Sequence, residues 1–396
     1  MRIEERYERA GPEEVAELIR RELRPHFDNL TGFSSTAELR ASPVYRQLED
    51  RFRLALETLH HGRFSQGGPP GTRHRVLAWN VERGKELAGQ LEAFRANPYL
   101  QSCGLMLLTE TDVGMARSGN ADVARTIAAE LGFDYVFAPC YLSLVKGSGI
   151  ERHVEGDNEL GLHGNAILSR YPMREVRRVA LRNGIDKMAS NEKRLGSQTS
   201  IAATVDFPSG PLTVACVHLD ANSTQRHRME QMSDILDALP TGPALIGGDW
   251  NTTTFNSSTA FHAIMGYWLR VFMGPKRVIR NHFLHPYRWF ERGLFQLLET
   301  RGFDFRSCNR IGDHSIFYDV DHLAQHKALA EWVPLWCFAF IRWALRDVGG
   351  GCPLMIDWFA ARQVRCENPL VLHDVNKGPR GPLSDHDPIG VEIVLE

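Results

Sequence analysis

Polar side chains directly follow a buried apolar run near residue 250. Segment 244–253 is ALIGGDWNTT, so Asp249 and Asn251 come at the end of the run. Side chains two residues apart on a strand point to the same side. Gly247 and Gly248 lack a Cβ, so the backbone can bend and approach a bound group. A carboxylate and an amide in this arrangement can hold a water molecule and a phosphate oxygen, although the same residues also suit an ordinary turn.

Amides, carboxylates and histidines end other apolar segments of the chain in the same way. They are Asn80 with Glu82, Glu110, His218, Asp357, and Asp385 with His386. Strand ends of packed sheets present reactive groups on a rigid scaffold. Because this set is rich in oxygen ligands and has no cysteine cluster, it favours Mg²⁺ or Mn²⁺ over Zn²⁺. Such an ion neutralises a phosphate and activates water or the leaving group.

Composition sets broad limits on the fold and on its partners. The chain has 396 residues, 43% of them hydrophobic, and a net charge of −2. This length can bury a large core in two or three domains, or in one α/β domain with insertions. The charge provides no overall basic field for nucleic acid, although a local groove or a metal ion can replace one.

Cysteine usage and hydropathy predict a cytoplasmic protein. The seven cysteines form no Cys-x-x-Cys pair, and most lie in apolar runs, as reduced core residues do. The first six residues, MRIEER, are charged and contain no apolar signal core. The longest apolar run, 333–341, is too short to span a membrane, so we expect no transmembrane segment.

Hydrophobic periodicity divides the chain into an extension, a main domain and an insertion. Residues 1–71 form a helical extension that the glycines and prolines of 67–71 end. The main domain covers 72–396 and alternates apolar strands with helices at about 120–131 and 224–239. An aromatic-rich helical insertion occupies about 256–350.

Seven short motifs in order resemble those of the endonuclease/exonuclease/phosphatase superfamily of metal-dependent phosphoesterases. They are WNVE (79–82), LTET (108–111), GNAILSR (164–170), HL (218–219), GDWN (248–251), IDWF (356–359) and SDHDP (384–388). The resemblance covers about 74–255 and 352–396. It implies an α/β fold, a four-layer α/β/β/α sandwich of two packed mixed sheets, with the site at one end.

The resemblance also implies which residues hold the metal ion. Glu110 is expected to be the principal ligand, with Asn80 beside it. Asp385 is expected at this metal or at a second metal position. Glu82 stands where relatives often carry an acid near the metal, although an exposed acid at a helix start would look the same.

Catalytic roles follow from the same resemblance. Asp249 is expected to orient the attacking water and Asn251 to hold a phosphate oxygen. His386 acts as general base or as transition-state stabiliser, paired with Asp357, which fixes its tautomer. His218 donates to a non-bridging phosphate oxygen.

Some positions stay undecided from the sequence. His163, Asn165 and Arg194 suit either the site or the scaffold. In deoxyribonuclease-like relatives an acid one strand earlier orients the first histidine, and segment 135–140 has no acid. Glu159 or Asp157 could take that place, and the sequence does not show that either does.

We expect the substrate to be a phosphodiester, in nucleic acid first, with a phospholipid or sphingomyelin-type phosphodiester as the alternative. Arginines and aromatics of 267–310 fit a nucleic-acid groove. They also fit a lid that contacts a membrane surface over a phospholipid headgroup. For most of these aromatics we favour burial in the core of the insertion. A non-catalytic binding module would show gaps among the motif residues, and there are none.

Overall fold

The computed structural model describes residues 11–252, 259–319, 337–379 and 381–395. Residues 1–10 of the predicted extension, and 256–258 and 320–336 of the predicted insertion, lie outside the described residues. None of the described helices combines the length and apolarity needed to cross a membrane.

Seventeen strands are described, and most of them belong to two main sheets. In chain order they are β1 His60–Gly62, β2 Arg73–Arg83, β3 Cys103–Val113, β4 Asp134–Ser143, β5 Leu162–Ser169, β6 Met173–Ala180, β7 Arg194–Gly196, β8 Thr199–Phe207, β9 Gly210–His218, β10 Ala244–Asp249, β11 Ile316–Asp319, β12 Gly351–Leu354, β13 Asp357–Arg362, β14 Arg365–Val371, β15 Lys377–Gly378, β16 Gly381–Pro382 and β17 Ile389–Val394.

Helices connect and cover these strands. In chain order the α-helices of the described residues are α1 Pro12–Leu18, α2 Phe27–Leu30, α3 Thr36–Ala41, α4 Pro43–Glu57, α5 Leu87–Ala96, α6 Pro98–Gln101, α7 Val123–Leu131, α8 Gln225–Ala238, α9 Ala260–Met273, α10 Pro275–Val278, α11 Arg292–Thr300 and α12 Cys337–Leu345. Local chemistry fixes several ends: Ser42 and Thr224 cap α4 and α8 with their hydroxyls, and left-handed Gly132 ends α7.

Both main sheets mix parallel and antiparallel pairs. The first has the order β1-β4-β5-β3-β2-β17-β14, with β7 beside β4, and its β2 and β3 are parallel. The second has the order β13-β10-β9-β8-β6, and its β9 and β10 are parallel. The central strands are buried on both faces, which explains their continuous apolar runs.

The helices and sheets form four layers, and an apolar core lies between each pair of neighbouring layers. Residues such as Leu107 and Val214 fill the space between the two sheets. The N-terminal helices and α7 cover the outer face of the first sheet, and α8 and α11 cover that of the second. The predicted four-layer α/β/β/α sandwich is therefore confirmed.

The predicted extension packs closely on the first sheet. Val15, Ile19 and Phe52 join the same core as Leu77 of β2. The extension also contains β1, which pairs with β4 and lengthens the sheet. The division of the chain at residue 71 stays a prediction.

The predicted insertion has two parts with different surroundings. α11 and Phe305 are buried against Trp358 and α8. α9 and α12 instead expose much of their apolar surface, and Phe272 is 83% exposed. The favoured burial of most aromatics of 267–310 is confirmed in part: Phe283, Phe295, Phe303 and Phe305 are buried, Tyr267, Tyr287 and Phe290 are half-buried, and Trp268, Phe272 and Trp289 are exposed. The apolar period of α9 predicts a helix, but it does not predict whether another part of the protein covers the apolar face of that helix.

Candidate active site

Strand register brings three predicted site residues side by side. Asp249 ends β10, and its neighbours across the sheet are His218 at the end of β9 and Asp357 at the start of β13. All three are buried. The three residues are far apart in the sequence, and the pairing of their strands places them in one row.

Asp249 lies at the centre of a hydrogen-bond network. The backbone N–H of Asn251 donates to Oδ1 of Asp249 (2.8 Å). Oδ2 accepts from Nδ2 of Asn80 (3.1 Å) and Nδ2 of Asn251 (3.2 Å). Nε2 of His218 is 3.5 Å from the same oxygen. The carboxylate is therefore fixed in orientation by residues of three separate motifs.

His386 is held against Asp357. Its Nδ1 donates to Oδ2 of Asp357 (2.7 Å), which leaves Nε2 facing Asp249 at 3.8 Å. The loop that carries His386 is fastened to β2, because Trp79 Nε1 donates to the His386 carbonyl (2.9 Å) and Ser384 Oγ to the Asn80 carbonyl (2.6 Å). We name Asp249, Asp357, His386 and His218 the Asp249 cluster.

The predicted metal ligands flank this cluster. Glu110 Oε1 is 4.0 Å from Nε2 of His218, and Asp385 Oδ1 is 3.9 Å from Nε2 of His386. Asp385 N donates to Oε2 of Glu82 (3.1 Å), so two acids lie together on the Asp385 side. Asn80 turns its amide nitrogen to Asp249 and accepts from the Glu82 N–H with its oxygen.

The donor set of this region fits a hard divalent cation. Glu82, Glu110 and Asp385 offer carboxylate oxygens, which Mg²⁺ and Mn²⁺ prefer. Burial and the neighbouring Asp385 raise the pKa of Glu82 despite Lys85, so a cation beside the two acids would relieve their repulsion. Among the described residues, Asp249, Asp357 and His386 form a tight buried group with metal-ligand spacing.

Electrostatics differ sharply between members of the site. Burial has the largest effect on the pKa of Asp249 and raises it to about 6. Asp357 adds to this rise, whereas His386 acts in the opposite direction. Burial alone would lower the pKa of His386, but Asp357 and Asp249 outweigh it and raise that pKa well above its ordinary value. Burial lowers the pKa of His218. His386 is therefore a protonated donor at neutral pH, whereas His218 is neutral.

Glu110 stays ionised in spite of its surroundings. Burial would raise its pKa, but Arg83 and the nearby imidazoles outweigh burial and hold the pKa below its ordinary value. Arg83 Nε is 3.7 Å from Oε2 of Glu110. The Glu110 N–H donates to Oδ1 of Asn165 (3.3 Å), so Asn165 belongs to the scaffold that positions Glu110.

Backbone geometry around the site is unusual. Glu82, Arg83, Glu110 and Asn251 are non-glycine residues with left-handed backbone, at φ values of 44°, 68°, 55° and 48°. Such strain gathers at functional sites, where the surrounding structure enforces it. The two glycines before Asp249 allow neighbouring strands to pack closely: a Cβ on Gly247 would meet the Phe359 ring at 2.4 Å, and a Cβ on Gly248, whose φ is 133°, would meet the Val217 carbonyl oxygen at 2.2 Å.

A second charged group, absent from the sequence-based predictions, lies beside the site. Arg117 donates to both oxygens of Asp112 (2.8 and 3.0 Å) and also reaches Glu151 and Glu192. His163 Nδ1 is 2.8 Å from Oδ1 of Asp112. We name these five residues the Arg117 cluster. No motif spacing marks it, since its members come from four separate segments.

The remaining undecided residues contact other parts of the protein. Arg194 lies over the Tyr141 ring (4.2 Å) and pairs with Glu192 (3.5 Å). Glu159 and Asp157 pair with Arg20 and Arg24 of the extension, and their side chains are exposed. Because both acids face the extension, neither takes the place of the missing acid beside a site histidine.

Tyr318 is a further site neighbour that the sequence did not suggest. It lies on β11, whose residue Ile316 forms a bridge with His386. Burial, then Asp385 and Asp249, raise the pKa of the Tyr318 hydroxyl above its ordinary value. β11 belongs to the predicted insertion, so this segment approaches the Asp249 cluster directly.

Comparison with known proteins identifies the family. Residues 77–386 match the model of the endonuclease/exonuclease/phosphatase family, and the chain therefore belongs to that family. Its members are metal-dependent phosphoesterases. No curated protein matches the chain.

Solved structures resemble the chain at low identity. The human Nocturnin catalytic domain with bound sulfate has 13% identity and a TM-score of 0.45, with 86% of this chain and 97% of that one covered. Truncated TDP2 from Caenorhabditis elegans has 13% identity, a TM-score of 0.42, and coverage of 82% and 98%. The Neisseria 3′ phosphatase NExo, in a variant form bound to a product DNA hairpin, has 15% identity, a TM-score of 0.44, and coverage of 80% and 98%.

Proposed function

We propose that this protein hydrolyses a phosphodiester with the help of a divalent metal ion. The observation that carries the proposal is the row of His218, Asp249 and Asp357 across three paired strands, with His386 hydrogen-bonded to Asp357. A buried carboxylate beside two imidazoles is suited to general acid–base chemistry. Family membership supports the phosphoester class of substrate.

Mg²⁺ or Mn²⁺ is the proposed cofactor, held by Glu110 and Asp385 with Asn80 beside them. When bound, such an ion neutralises phosphate charge and assists the leaving group. Arg83 and Asn165 keep the Glu110 carboxylate charged and in place. Glu82 is the further acid on the Asp385 side.

Proton handling falls to Asp249 and His386. Asp249 orients the attacking water and takes up its proton, for which its raised pKa of about 6 makes it a better base than an ordinary aspartate. His386 donates through Nε2 to a phosphate oxygen, since its pKa is raised and Asp357 holds Nδ1. This favours the transition-state stabiliser over the general base.

Asn251 and His218 complete the proposed phosphate site. Nδ2 of Asn251 donates one N–H to the carbonyl oxygen of Leu219 (3.0 Å) and the other to Asp249 (3.2 Å), so holding a phosphate oxygen requires Asn251 to release one of these bonds. His218 is neutral because burial lowers its pKa, and a neutral imidazole can donate one hydrogen bond to a non-bridging oxygen.

Nucleic acid remains one candidate substrate. Arg277, Arg280 and Arg288 are exposed near the start of the predicted groove. Exposed cations of this kind bind backbone phosphates. Their exposure supports the nuclease interpretation without selecting between DNA and RNA.

A phospholipid or sphingomyelin-type phosphodiester is a second candidate, which a specific observation favours. Apolar side chains recur every three or four residues along α9 and are exposed together with two from α12. This apolar band consists of Phe261, Ile264, Met265, Trp268, Leu269, Phe272, Phe340 and Trp343. Contiguous exposed apolar surface with basic residues nearby is typical of membrane-surface contact.

Hydrolysis itself is tested with bis-p-nitrophenyl phosphate. We expect release of p-nitrophenol in Mg²⁺ or Mn²⁺, its loss in EDTA, and its return when the metal is restored. A protein that is folded by circular dichroism but inactive with either metal would instead be the non-catalytic binding module.

The substrate is tested with one panel of phosphodiesters. Plasmid DNA, single-stranded RNA, inositol phosphates, and vesicles of sphingomyelin or lysophospholipid are compared at equal protein concentration. The double variant Phe261→Ser, Phe272→Ser is expected to lose vesicle hydrolysis while keeping activity on bis-p-nitrophenyl phosphate. Ile150→Ser, at an exposed isoleucine outside the band, is the matched control. Cleavage of nucleic acid but not of vesicles excludes the lipid candidate. The cytoplasmic location stays a prediction.

A further inference from the structure

Asp313, His314 and His373 form a second group of metal-binding side chains, outside the Asp249 cluster. One candidate ligand atom from each residue lies within 4.8 Å of the others, and all three residues are half-buried. Asp313 and His314 precede β11, whereas His373 follows β14. The fold therefore brings together two imidazoles and a carboxylate from segments far apart in the sequence.

Distances within this group match those between ligands of one ion. Nε2 of His373 is 3.1 Å from Oδ1 of Asp313, and Nδ1 of His314 is 3.3 Å from the same oxygen. Zinc–ligand bonds of about 2.0–2.2 Å in a tetrahedral site put neighbouring ligand atoms roughly 3.3–3.5 Å apart. Asp313 and the two imidazoles are therefore close to coordination spacing.

A carboxylate behind His373 strengthens this resemblance to a metal site. Nδ1 of His373 is 2.7 Å from Oδ2 of Asp387, and Asn376 Nδ2 donates to the other Asp387 oxygen (3.0 Å). Metal-binding histidines almost always donate their second N–H to such a partner, which fixes the tautomer. The pair with Asp387 thus directs Nε2 of His373 toward Asp313.

We propose that Asp313, His314 and His373 bind a divalent transition-metal ion, with Zn²⁺ the ion of best fit. Two imidazoles and one carboxylate are the ligands of a three-residue zinc site with one open position, whereas Mg²⁺ prefers oxygen. The two imidazole rings are stacked at 4.5 Å with 25° between their planes.

Such an ion would fasten the insertion to the loop that carries His386. The N–H of Asp387 donates to the Ser315 carbonyl (2.7 Å), next to the proposed ligands Asp313 and His314. Ser315 Oγ also accepts from the N–H of Asp357 (3.0 Å). The bound ion joins these segments where they support the Asp249 cluster without itself entering that cluster.

The experiment counts Zn²⁺ bound by the full chain after EDTA treatment and dialysis, by isothermal titration. His314→Gln is expected to bind one equivalent fewer than the wild type. Glu110→Gln removes a proposed ligand of the hydrolytic site and keeps this equivalent. His314→Gln should lose this equivalent whether or not the hydrolytic site also takes up Zn²⁺. If only the proposed function fails, the wild type still binds one equivalent more than His314→Gln. If this site fails, the wild type and His314→Gln bind the same number of equivalents.

Further variants separate coordination from packing. Asp387→Asn keeps the shape of the side chain and should weaken the same equivalent by roughly 10–100-fold. His227→Gln, whose ring contacts the Arg182 carbonyl, is the matched histidine control and should bind as the wild type does. The Zn²⁺-induced rise in melting temperature, measured within each variant, keeps the comparison valid if a variant is less stable. Unchanged Zn²⁺ binding in both His314→Gln and His373→Gln, or a wild type that binds none, would overturn the proposal.

Discussion

The Asp249 cluster and the Arg117 cluster are both buried groups of charges, but they differ in how far the charges are compensated. In the Arg117 cluster, one buried guanidinium contacts three carboxylates, and Asp112 also pairs with His163. In the Asp249 cluster, two carboxylates share the neighbourhood of His386, and Oδ1 of Asp357 has no hydrogen-bond partner among the described residues.

The pKa directions follow this difference. Burial would raise the pKa of Glu192, but Arg117 and Arg194 outweigh burial and hold the pKa well below its ordinary value. For Asp249, burial and Asp357 prevail and the pKa rises. Compensated charge stabilises a fold, whereas incompletely compensated charge leaves a group able to react or to bind a ligand.

The largest effect is expected for Asp249→Asn on hydrolysis. The amide keeps the shape but cannot take up a proton, so kcat for bis-p-nitrophenyl phosphate should fall by about 10²- to 10⁴-fold. Two opposing changes act on the free energy of unfolding: a buried carboxylate with a raised pKa is removed, but the amide accepts fewer of the hydrogen bonds that Asn80 and Asn251 donate. Steady-state kinetics and thermal denaturation measure kcat and stability. Near wild-type kcat would remove Asp249 from its proposed role.

Arg117→Met should have the largest effect on stability. It leaves Asp112 and Glu192 buried without their cation, which costs about 3–5 kcal/mol in the free energy of unfolding. Arg174→Met, at an exposed arginine paired with Asp206, is the matched control and should cost at most about 1 kcal/mol. Urea unfolding compares the two, and equal losses would mean that the Arg117 cluster is no more stabilising than a surface pair.

The two clusters should change stability with pH in opposite directions. Glu192 has a lowered pKa in the folded state, so its contribution is present above the ordinary carboxyl pKa of about 4 and is lost as the pH falls below it. Asp249 has a raised pKa of about 6 in the folded state, so ionising it costs stability as the pH rises from about 4 to about 6. Urea unfolding in EDTA across this pH range should show that the free energy of unfolding of Asp249→Asn rises relative to that of the wild type as the pH rises. If the free energies of unfolding of Asp249→Asn and wild type differ by the same amount at every pH, the raised pKa of Asp249 is contradicted.

The smallest effect is expected for His163→Gln. Gln keeps an amide donor near Asp112, so the free energy of unfolding should fall by about 1 kcal/mol. His163 hydrogen-bonds within the Arg117 cluster, so kcat should stay within a few-fold of wild type. A loss of kcat as large as that of Asp249→Asn would show that the two clusters act as one site.

Much of the fold was predictable because local patterns encode it. The run before Asp249, the cap at Thr224 and the stop at Gly132 each act within a few residues, and the structure has the expected strand and helices there. The four-layer architecture was implied by the resemblance of seven motifs, in their order along the chain, to those of the endonuclease/exonuclease/phosphatase family.

Contacts between distant segments could not be predicted from the sequence. Arg117 meets Glu151 and Glu192 through side chains that no periodicity connects. Tyr318 approaches the site from the insertion, and the apolar faces of α9 and α12 are exposed although their pattern is the same as that of a buried helix. Burial depends on which layer covers a face, and hydrophobic period alone does not specify it.

The sequence by itself determined the chemistry that the chain carries: amides, carboxylates and histidines follow several apolar runs, with Asp249 at the end of β10 and Asn251 two residues later. Only the tertiary structure decided how those groups act on one another. Register places Asp249 between His218 and Asp357, and burial then raises its pKa while arginine pairing lowers that of Glu192. The physical reason is that a residue's type fixes its charge, whereas the strength of that charge depends on neighbours and on exclusion of water, which arise only when the two sheets pack.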